Sequence, residues 1–257
     1  MPTKRYQEAV EKYGDKAIAM LDDEIVRQKE TEVVIRFFEA HIRKRVLMSP
    51  LESIVDIGCG DGYTIEKLSE KYNCNFFGID KTKELLDIAE KRGTNCAFFE
   101  GDATSLKFDD DFFDIILTQR CLINLFSWDE QKKALNEIYR VLKPGGYYLM
   151  IEGFIDGLQN NNKARIECGL SEIKEASFNK CIDKKLFLEA VDGKFSVTGE
   201  SYNFLSSHYF ISRVLHALVT KGEQIKNTEF VKFFSFLPPI GNYSPIQAFV
   251  LTKQVKK

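Results

Sequence analysis

The chain has 257 residues, with 36 Lys and Arg residues against 38 Asp and Glu residues and a formal net charge of -2. This balance argues against a general attraction to nucleic acid or to an anionic membrane surface. No apolar run approaches the roughly 18 residues of a transmembrane helix. The six cysteines form no Cys-x-x-Cys pair, so we expect reduced thiols in a cytoplasmic protein.

The N-terminal region is predicted to be helical. Apolar residues recur at roughly helical spacing over residues 4–47, which predicts one short and one long helix, interrupted near Gly14 and ending before Pro50. We expect residues 1–49 to form a helical cover on the rest of the domain.

Residues 54–62, with the sequence IVDIGCGDG, predict a buried strand, a glycine-rich turn and a helix that begins at about residue 63. The dinucleotide fingerprint would need a third glycine at position 63, where Tyr63 stands, and no P-loop lysine is present. We therefore expect a nucleotide-type pocket of another kind. Asp56 suits a cationic group, or it caps nearby backbone, whereas Asp80, at the end of the next strand, suits two ribose hydroxyls.

Strands alternate with helices over residues 50–153, which predicts a parallel sheet with right-handed crossovers. The predicted strands are 52–57, 75–80, 96–100, 113–119 and 147–152, and the predicted helices are 63–72, 82–92 and 128–141. Ligands of such sheets bind beyond the carboxyl ends of the strands. Gly58, Asp80, Asp102 and Gln119 all fall there.

The C-terminal part of the same domain, residues 154–257, is less regular. Residues 154–182 predict a polar loop with one helix near 162–176. The remaining predicted elements are a helix over 184–191, a strand over 194–202, a helical segment over 206–220 and a final strand over 246–252. Residues 204–243 therefore form an insertion before the last strand, where we expect an acceptor to bind.

Five motifs between residues 54 and 152 resemble the class I S-adenosylmethionine-dependent methyltransferases in order and spacing. They are residues 56–62, 78–80, 101–103, 113–117 and 140–146. The resemblance implies an α/β, Rossmann-like fold with a mostly parallel seven-stranded sheet, helices on both faces and the last two strands antiparallel at the edge. It also implies S-adenosylmethionine as donor and S-adenosylhomocysteine as product.

The same resemblance implies a set of cofactor contacts: Asp56, Gly58, Cys59, Gly60, Asp80, Lys81, Asp102, Ala103 and Gln119. Asp102 either contacts adenine or is an ordinary turn residue. Cys59 contributes small size, because no basic partner that would activate it is visible nearby. Tyr6, Tyr13 or Arg27 would close over the cofactor, as N-terminal helices do in many proteins of this family.

Candidate acceptor residues follow the fourth strand. Arg120 offers a planar cationic fork for phosphate or carboxylate, or it forms a surface salt bridge. Asn124 is grouped with it as a substrate contact. Enzymes of this fold that methylate exocyclic amines of bases typically carry Asn or Asp followed by Pro-Pro-aromatic here, and this chain does not.

A second candidate cluster lies in the insertion. Helical spacing places Tyr209, Arg213 and His216 on one face. We expect His208, Tyr209 and Arg120 to be catalytic and Arg213 and His216 to bind substrate; the alternative is a purely structural role. No metal-ligand spacing is present, so no metal is predicted.

The acceptor is expected to be a small molecule, with no nucleic-acid or membrane partner, and the protein a monomer or homodimer. A resemblance of residues 120–125 and 212–216 to a bacterial branch favours O-methylation of a sugar-linked or phosphorylated metabolite, sometimes in surface-polysaccharide modification. N-methylation of a small amine is the second hypothesis. A cofactor-binding regulator without turnover is the third, and a nucleic-acid methyltransferase, opposed by the composition, is the fourth.

Overall fold

A computed structural model describes residues 24–42, 52–175, 179–199, 201–220 and 233–255. Its centre is a seven-stranded sheet in the order β3-β2-β1-β4-β5-β7-β6. The strands are β1 Ser53–Ile57, β2 Asn75–Asp80, β3 Cys96–Glu100, β4 Phe113–Gln119, β5 Leu142–Gly153, β6 Phe195–Val197 and β7 Ile246–Lys253. β7 runs antiparallel to both β5 and β6, whereas the pairs among β1 to β5 are parallel.

Helices cover both faces of the sheet. They are α1 Glu24–Phe37, α2 Tyr63–Ser69, α3 Lys83–Glu90, α4 Trp128–Val141, α5 Ile155–Glu167, α6 Lys184–Val191, α7 Ser206–Phe210 and α8 His216–Val219. Two π-helical turns, Phe38–Ile42 and Ile211–Leu215, continue α1 and connect α7 to α8, and Leu122–Asn124 is a 3-10 turn.

The sheet separates two hydrophobic cores, and successive strand residues contribute to opposite ones. Ile54 packs with Val34 of α1 and Leu68 of α2 on one face. Its neighbour Val55 packs with Leu135 of α4 on the other face. Burial on both faces of the sheet thus explains why the strand sequences are continuously apolar. The predicted mostly parallel sheet, its antiparallel edge and its two helical layers are confirmed.

Capping residues and apolar periodicity predict the boundaries of two helices correctly. α4 begins after Ser127, whose hydroxyl accepts a hydrogen bond from Glu130 N at 3.2 Å, and α6 begins after Asp183, whose carboxylate accepts from two backbone N–H groups. Both helices match the predicted bounds, because a capping side chain and an amphipathic pattern agree there.

The segment after β5 corrects the prediction of a polar loop with a helix near 162–176. α5 instead starts at Ile155, directly after the strand. Its polar run is helical because the asparagine side chains bond to neighbouring backbone: Asn160 to Asn242 O, Asn161 to Tyr209 O and Asn162 to Ile173 O. Tertiary contacts therefore override the weak helix propensity of asparagine.

β6 is shorter than the predicted strand 194–202. It covers only Phe195–Val197, and pairing with β7 resumes at a single bridge between Tyr202 and Ala248. Gly199, with φ of +72°, lies between the two stretches in a left-handed conformation that strands do not use.

The described residues test the predictions for the N-terminal region only in part. α1 packs on the core as a helical cover, whereas Tyr6, Tyr13, Gly14 and Pro50 lie outside the described residues.

Candidate active site

The glycine turn after β1 enters the crevice at the point where the strand order reverses. Gly58, Gly60 and Gly62 all have positive φ, at +80°, +55° and +74°, as the motif predicts. A Cβ at Gly58 would lie 2.6 Å from the Cβ of Cys121, whereas a Cβ at Gly60 would meet no atom of the described residues within 4 Å. Gly58 is thus required by contact with the loop after β4, and Gly60 is the glycine that faces open space.

Asp80, at the end of β2, holds this turn. Its Oδ2 accepts from Gly60 N at 2.9 Å and its Oδ1 accepts from Thr82 N at 2.8 Å. Burial raises the pKa of the carboxyl group, and these hydrogen bonds partly oppose the shift. Each oxygen keeps a second lone pair, so the carboxylate can still accept bonds from two adjacent hydroxyls.

Asp56 is nearly completely buried, at 2% exposure. Its Oδ2 accepts a long hydrogen bond of 3.4 Å from Gln119 Nε2, while Oδ1 has no hydrogen-bond partner among the described residues. Burial, together with the nearby charge of Asp80, raises its pKa to about 7. Such a carboxyl group is only partly stabilised by the protein and would gain from a bound cation.

Asp102 and Lys81 lie on the same rim. Lys81 Nζ contacts Asp102 Oδ2 at 2.7 Å, and the other carboxylate oxygen accepts from the backbone and hydroxyl of Thr104. Although burial opposes it, these bonds lower the pKa of Asp102 to about 2. The neighbouring Ala103 packs against the second core. Lys81 therefore contacts this rim by way of its ion pair with Asp102.

Arg120 follows β4 with φ of +52°. Its Nε lies 2.8 Å from Oε1 of Glu30 on α1, and the Glu30 side chain is only 2% exposed. Asn124 Nδ2 donates to the Arg120 carbonyl at 2.8 Å. The expected anion-binding arginine is thus a buried ion-pair partner of the N-terminal helix, and its role toward a substrate stays a prediction.

One face of α1 lies over the crevice, through side chains three and four residues apart. Arg27 Nη2 contacts Asp61 Oδ1 in the glycine turn at 2.5 Å, and its guanidinium lies 4.2 Å from the Tyr63 ring centroid. Thr31 Oγ1 is 3.4 Å from Thr64 Oγ1, which donates to Gln119 Oε1 at 3.3 Å. The cover predicted from residues 1–49 therefore contacts the cofactor turn.

The comparisons agree with this geometry. Residues 54–146 match a family model described as a methyltransferase domain. The uncharacterised methyltransferase YcgJ of Bacillus subtilis is 37% identical over 106 residues, 39% of this chain and 40% of that protein. A demethylmenaquinone methyltransferase of Renibacterium salmoninarum is 28% identical over 149 residues, 56% of this chain and 61% of that protein. The chain thus matches about 40% to 61% of the length of these relatives.

The fold is similar to that of an S-adenosylmethionine-dependent methyltransferase from Clostridium acetobutylicum, with a TM-score of 0.56 at 14% identity over 97% of this chain and 99% of the other. Residues 54–146 belong to a methyltransferase domain. Its cofactor is S-adenosylmethionine, which carries a sulfonium and an ammonium group. The unpartnered oxygen of Asp56 fits such a cation, and the open space beside Gly60 leaves room for the ligand to approach the backbone.

The methyltransferase domain also contains a buried acid that the sequence analysis did not single out. Glu152, near the end of β5, is completely buried and accepts from the backbone N–H groups of residues 121, 122 and 123 at 3.0 to 3.3 Å. Burial raises its pKa to about 7. It fixes the loop that carries Arg120 and Asn124. An acid that ends an otherwise apolar strand was the available sequence signal.

The insertion cluster is only partly assembled as expected. The Arg213 guanidinium lies 5.1 Å from the Tyr209 ring centroid, and His208, at 2% exposure, packs edge-on to the same ring. Both Tyr209 and Arg213 line a cavity, and His216 is not among the described residues that line it. Residues 211–215 between Tyr209 and His216 form a π turn, whereas the prediction of a shared face assumed a continuous α-helix.

Three further features concern the described residues. They contain no cluster of three or more His, Cys, Asp or Glu side chains that could hold a metal ion. Every helix within these ranges is too short or too polar to cross a bilayer. All six cysteines are free thiols.

Proposed function

We propose that the protein transfers the methyl group of S-adenosylmethionine to an oxygen atom of a small polar acceptor, leaving S-adenosylhomocysteine. The observation that carries the proposal is Asp80, tied to Gly60 N beside open space at the carboxyl ends of the strands, within the span that matches methyltransferases. The donor supplies a methyl group already activated by the sulfonium, so the protein mainly has to align the reactants.

In this proposal, three acidic residues each contact a different part of the donor. Asp80 accepts bonds from the ribose hydroxyls, Asp56 faces the ammonium group with Gln119 holding its side chain, and Asp102 with Ala103 borders the adenine. The turn at Gly58, Cys59 and Gly60 provides close backbone approach, and Lys81 fixes Asp102. These assignments share one rim of the sheet, which supports them jointly.

Our proposal for the methyl acceptor names only its chemical class. Sugar-linked and phosphorylated metabolites, including precursors of surface polysaccharides, are candidate acceptors. Because Arg120 is ion-paired to Glu30, we assign attraction of an acceptor anion to Arg213, with Tyr209 as the hydrogen-bond partner of the acceptor oxygen. Catalytic roles for His208 and Arg120, and substrate contacts by Asn124 and His216, remain predictions.

A small amine is the second candidate acceptor. Asp80, Glu152 and Glu30 all lie close enough to Asp56 to raise its pKa, and Arg120 balances only part of this negative charge. A cleft with excess carboxylate attracts a cationic substrate as well as a cationic donor.

Donor binding by the Asp80→Asn variant tests the proposal. The change preserves shape but removes the charge that strengthens both ribose hydrogen bonds, so we expect an affinity loss of roughly a hundredfold or more. Isothermal titration with S-adenosylmethionine measures it, and Asp109→Asn, at an exposed position of the same domain, is the matched control. Unchanged affinity in Asp80→Asn would contradict the ribose assignment.

Turnover is measured separately, by mass spectrometry of acceptor mixtures for products heavier by one methyl group. Tight donor binding with no product across hydroxyl, phosphate and amine acceptors would instead support a regulator that binds the donor without catalysis.

A further inference from the structure

The loop after β4 begins with a strained backbone. Arg120 has φ of +52°, in the left-handed region that residues with a side chain seldom adopt. The residues that follow form the 3-10 turn Leu122–Asn124. Such a conformation persists only where the surrounding structure imposes it, and it is found mostly at functional sites. The side chains that impose it here are therefore candidates for a functional role.

A carboxylate from the neighbouring strand holds the start of the turn. Within the described residues, the N-cap residue Cys121 makes no side-chain capping bond. Glu152, which is fully buried, supplies the cap instead. Its Oε1 accepts from the backbone N–H groups of residues 121 and 122 at 3.0 and 3.1 Å, and its Oε2 accepts from that of residue 123 at 3.3 Å. Since all three partners are donors, they favour the ionised carboxylate.

An amide on α4 holds the end of the same turn. Gln131 is 1% exposed. Its Nε2 lies 3.3 Å from Leu122 O, 3.4 Å from Leu125 O and 2.8 Å from Lys180 O, and it shares its two hydrogens among these carbonyl groups. The N–H groups of the turn are therefore bound by β5 and its carbonyl groups by α4.

The loop packs directly on the glycine turn of the donor site. A Cβ on Gly58 would lie 2.6 Å from the Cβ of Cys121 and 2.7 Å from its Sγ, so the two segments are as close as a glycine permits. Further along the loop, Cγ2 of Ile123 lies 3.0 Å from the position that a Cβ would take on Gly153. A shift of Cys121 toward β1 would collide with the donor turn, and a shift away from it would open a gap beside that turn.

We propose that Glu152 and Gln131 are positioning residues for the methyl transfer, because they hold residues 120–124 in the conformation that places Cys121 against the donor turn. Both side chains are buried, so they act through the loop and not on a ligand. The loop also carries Arg120 and Asn124, so the same two side chains set how the predicted acceptor residues lie relative to the donor. This inference rests on the proposed function, since it concerns the alignment of that site.

Donor titration of the Glu152→Gln and Gln131→Met variants tests the inference. Glu152→Gln keeps the size of the side chain but replaces one acceptor oxygen by an NH2 group, so we expect donor affinity to fall roughly tenfold. Gln131→Met removes the amide at similar volume and should weaken donor binding roughly threefold. Asp114→Asn is the matched control, because that carboxylate also accepts from a backbone N–H, Ser53 N at 3.0 Å, but at the amino end of β4. It should bind the donor like the parent protein.

A double-mutant cycle with Arg120→Gly separates positioning from stability. Glycine adopts positive φ without strain, so Glu152→Gln should cost less than about threefold in donor affinity in the Arg120→Gly background, against roughly tenfold in the parent. Loss of the ion pair with Glu30 is common to both Arg120→Gly proteins and cancels in the comparison. A merely structural role of Glu152 would give equal losses in the two backgrounds, which would contradict the inference.

The parent protein separates this inference from the proposed function. If the parent fails to bind S-adenosylmethionine, the proposed function falls and this inference falls with it. Donor binding by the parent, with parent-like affinity in both Glu152→Gln and Gln131→Met, would overturn only the positioning roles. An affinity loss in Asp114→Asn as large as in Glu152→Gln would show that donor binding follows overall stability, and would also overturn them.

Discussion

Asp56 and Gly60 show at the scale of single residues what a donor site requires. Asp56 brings a carboxyl group into the interior, yet the described residues supply it with only one long hydrogen bond. Gly60 leaves a gap that no atom enters within the part of the chain that the structure describes. The carboxyl group of Asp56 would be stabilised by a nearby cation, and the space beside Gly60 has room for a ligand. A single cationic ligand in the crevice would satisfy both conditions.

The titration of Asp56 gives a pH dependence of donor binding. With a pKa of about 7, the carboxyl group is protonated at lower pH, and a bound cation favours its ionised form. Donor affinity should therefore rise as the pH increases from about 5.5 to 7, by up to about tenfold per unit, below the range where the donor's amino group loses its proton. Titration calorimetry at several pH values measures the slope. Asp56→Asn should flatten it, and an unchanged slope in that variant would contradict the assignment.

Two alanine substitutions in the same turn should have different effects. Gly58→Ala places a Cβ 2.6 Å from Cys121 and should destabilise the fold by about 2 kcal/mol or more. The methyl group of Gly60→Ala contacts none of the described residues, so we expect the variant to lose only the cost of the left-handed backbone, about 1–2 kcal/mol. That methyl group enters the crevice, however, and should weaken donor binding. Urea unfolding and donor titration distinguish them. Wild-type donor affinity in Gly60→Ala would show that the ligand lies elsewhere.

At the scale of elements, α1 is attached to the sheet rim by polar contacts on one face. The most buried is the ion pair between Glu30 and Arg120, with side chains 2% and 15% exposed. Glu30→Gln removes the charge that Glu30 contributes to this ion pair and should lower the free energy of unfolding by about 3–5 kcal/mol. The double variant with Arg120→Met should regain part of this loss.

The pair formed by Lys67 and Glu70 is the matched control, because it is exposed and its atoms are 2.7 Å apart. Glu70→Gln should change stability by less than about 1 kcal/mol. Urea denaturation of these three variants and the parent protein gives the comparison, and equal losses for Glu30→Gln and Glu70→Gln would mean that the buried pair does not anchor α1.

For the whole molecule, a single parallel sheet brings distant parts of the chain to one rim. Parallel strands point their carboxyl ends the same way, so residues after β1, β2, β3 and β4 meet although they are separated by as many as 63 positions, as between Asp56 and Gln119. The antiparallel β7 then leaves its preceding insertion beside α5, where Tyr209 and Arg213 line a cavity. Donor residues therefore come from the first part of the domain, and the residues that we assign to the acceptor come from the second.

Most of the first part could be predicted from the sequence. The alternation of buried strands with amphipathic helices, and capping residues such as Ser127, are local signals that the fold obeys. The second part was predicted less well, because asparagine side chains in α5 bond to backbone far along the chain and a glycine interrupts β6. Glu152 was missed for a related reason, since its three backbone partners become neighbours only when β4 and β5 pair.

The sequence by itself determined the glycine turn, the order of strands and helices, and the acids at the strand ends, because backbone conformation and residue periodicity depend on near neighbours. Only the tertiary structure decided that Arg120 pairs with Glu30, that residues 211–215 form a π turn, and that the buried Asn161 side chain bonds to Tyr209 O and Tyr243 O. Those outcomes depend on which surfaces meet when the chain is packed, and on which buried charges and amides then find partners.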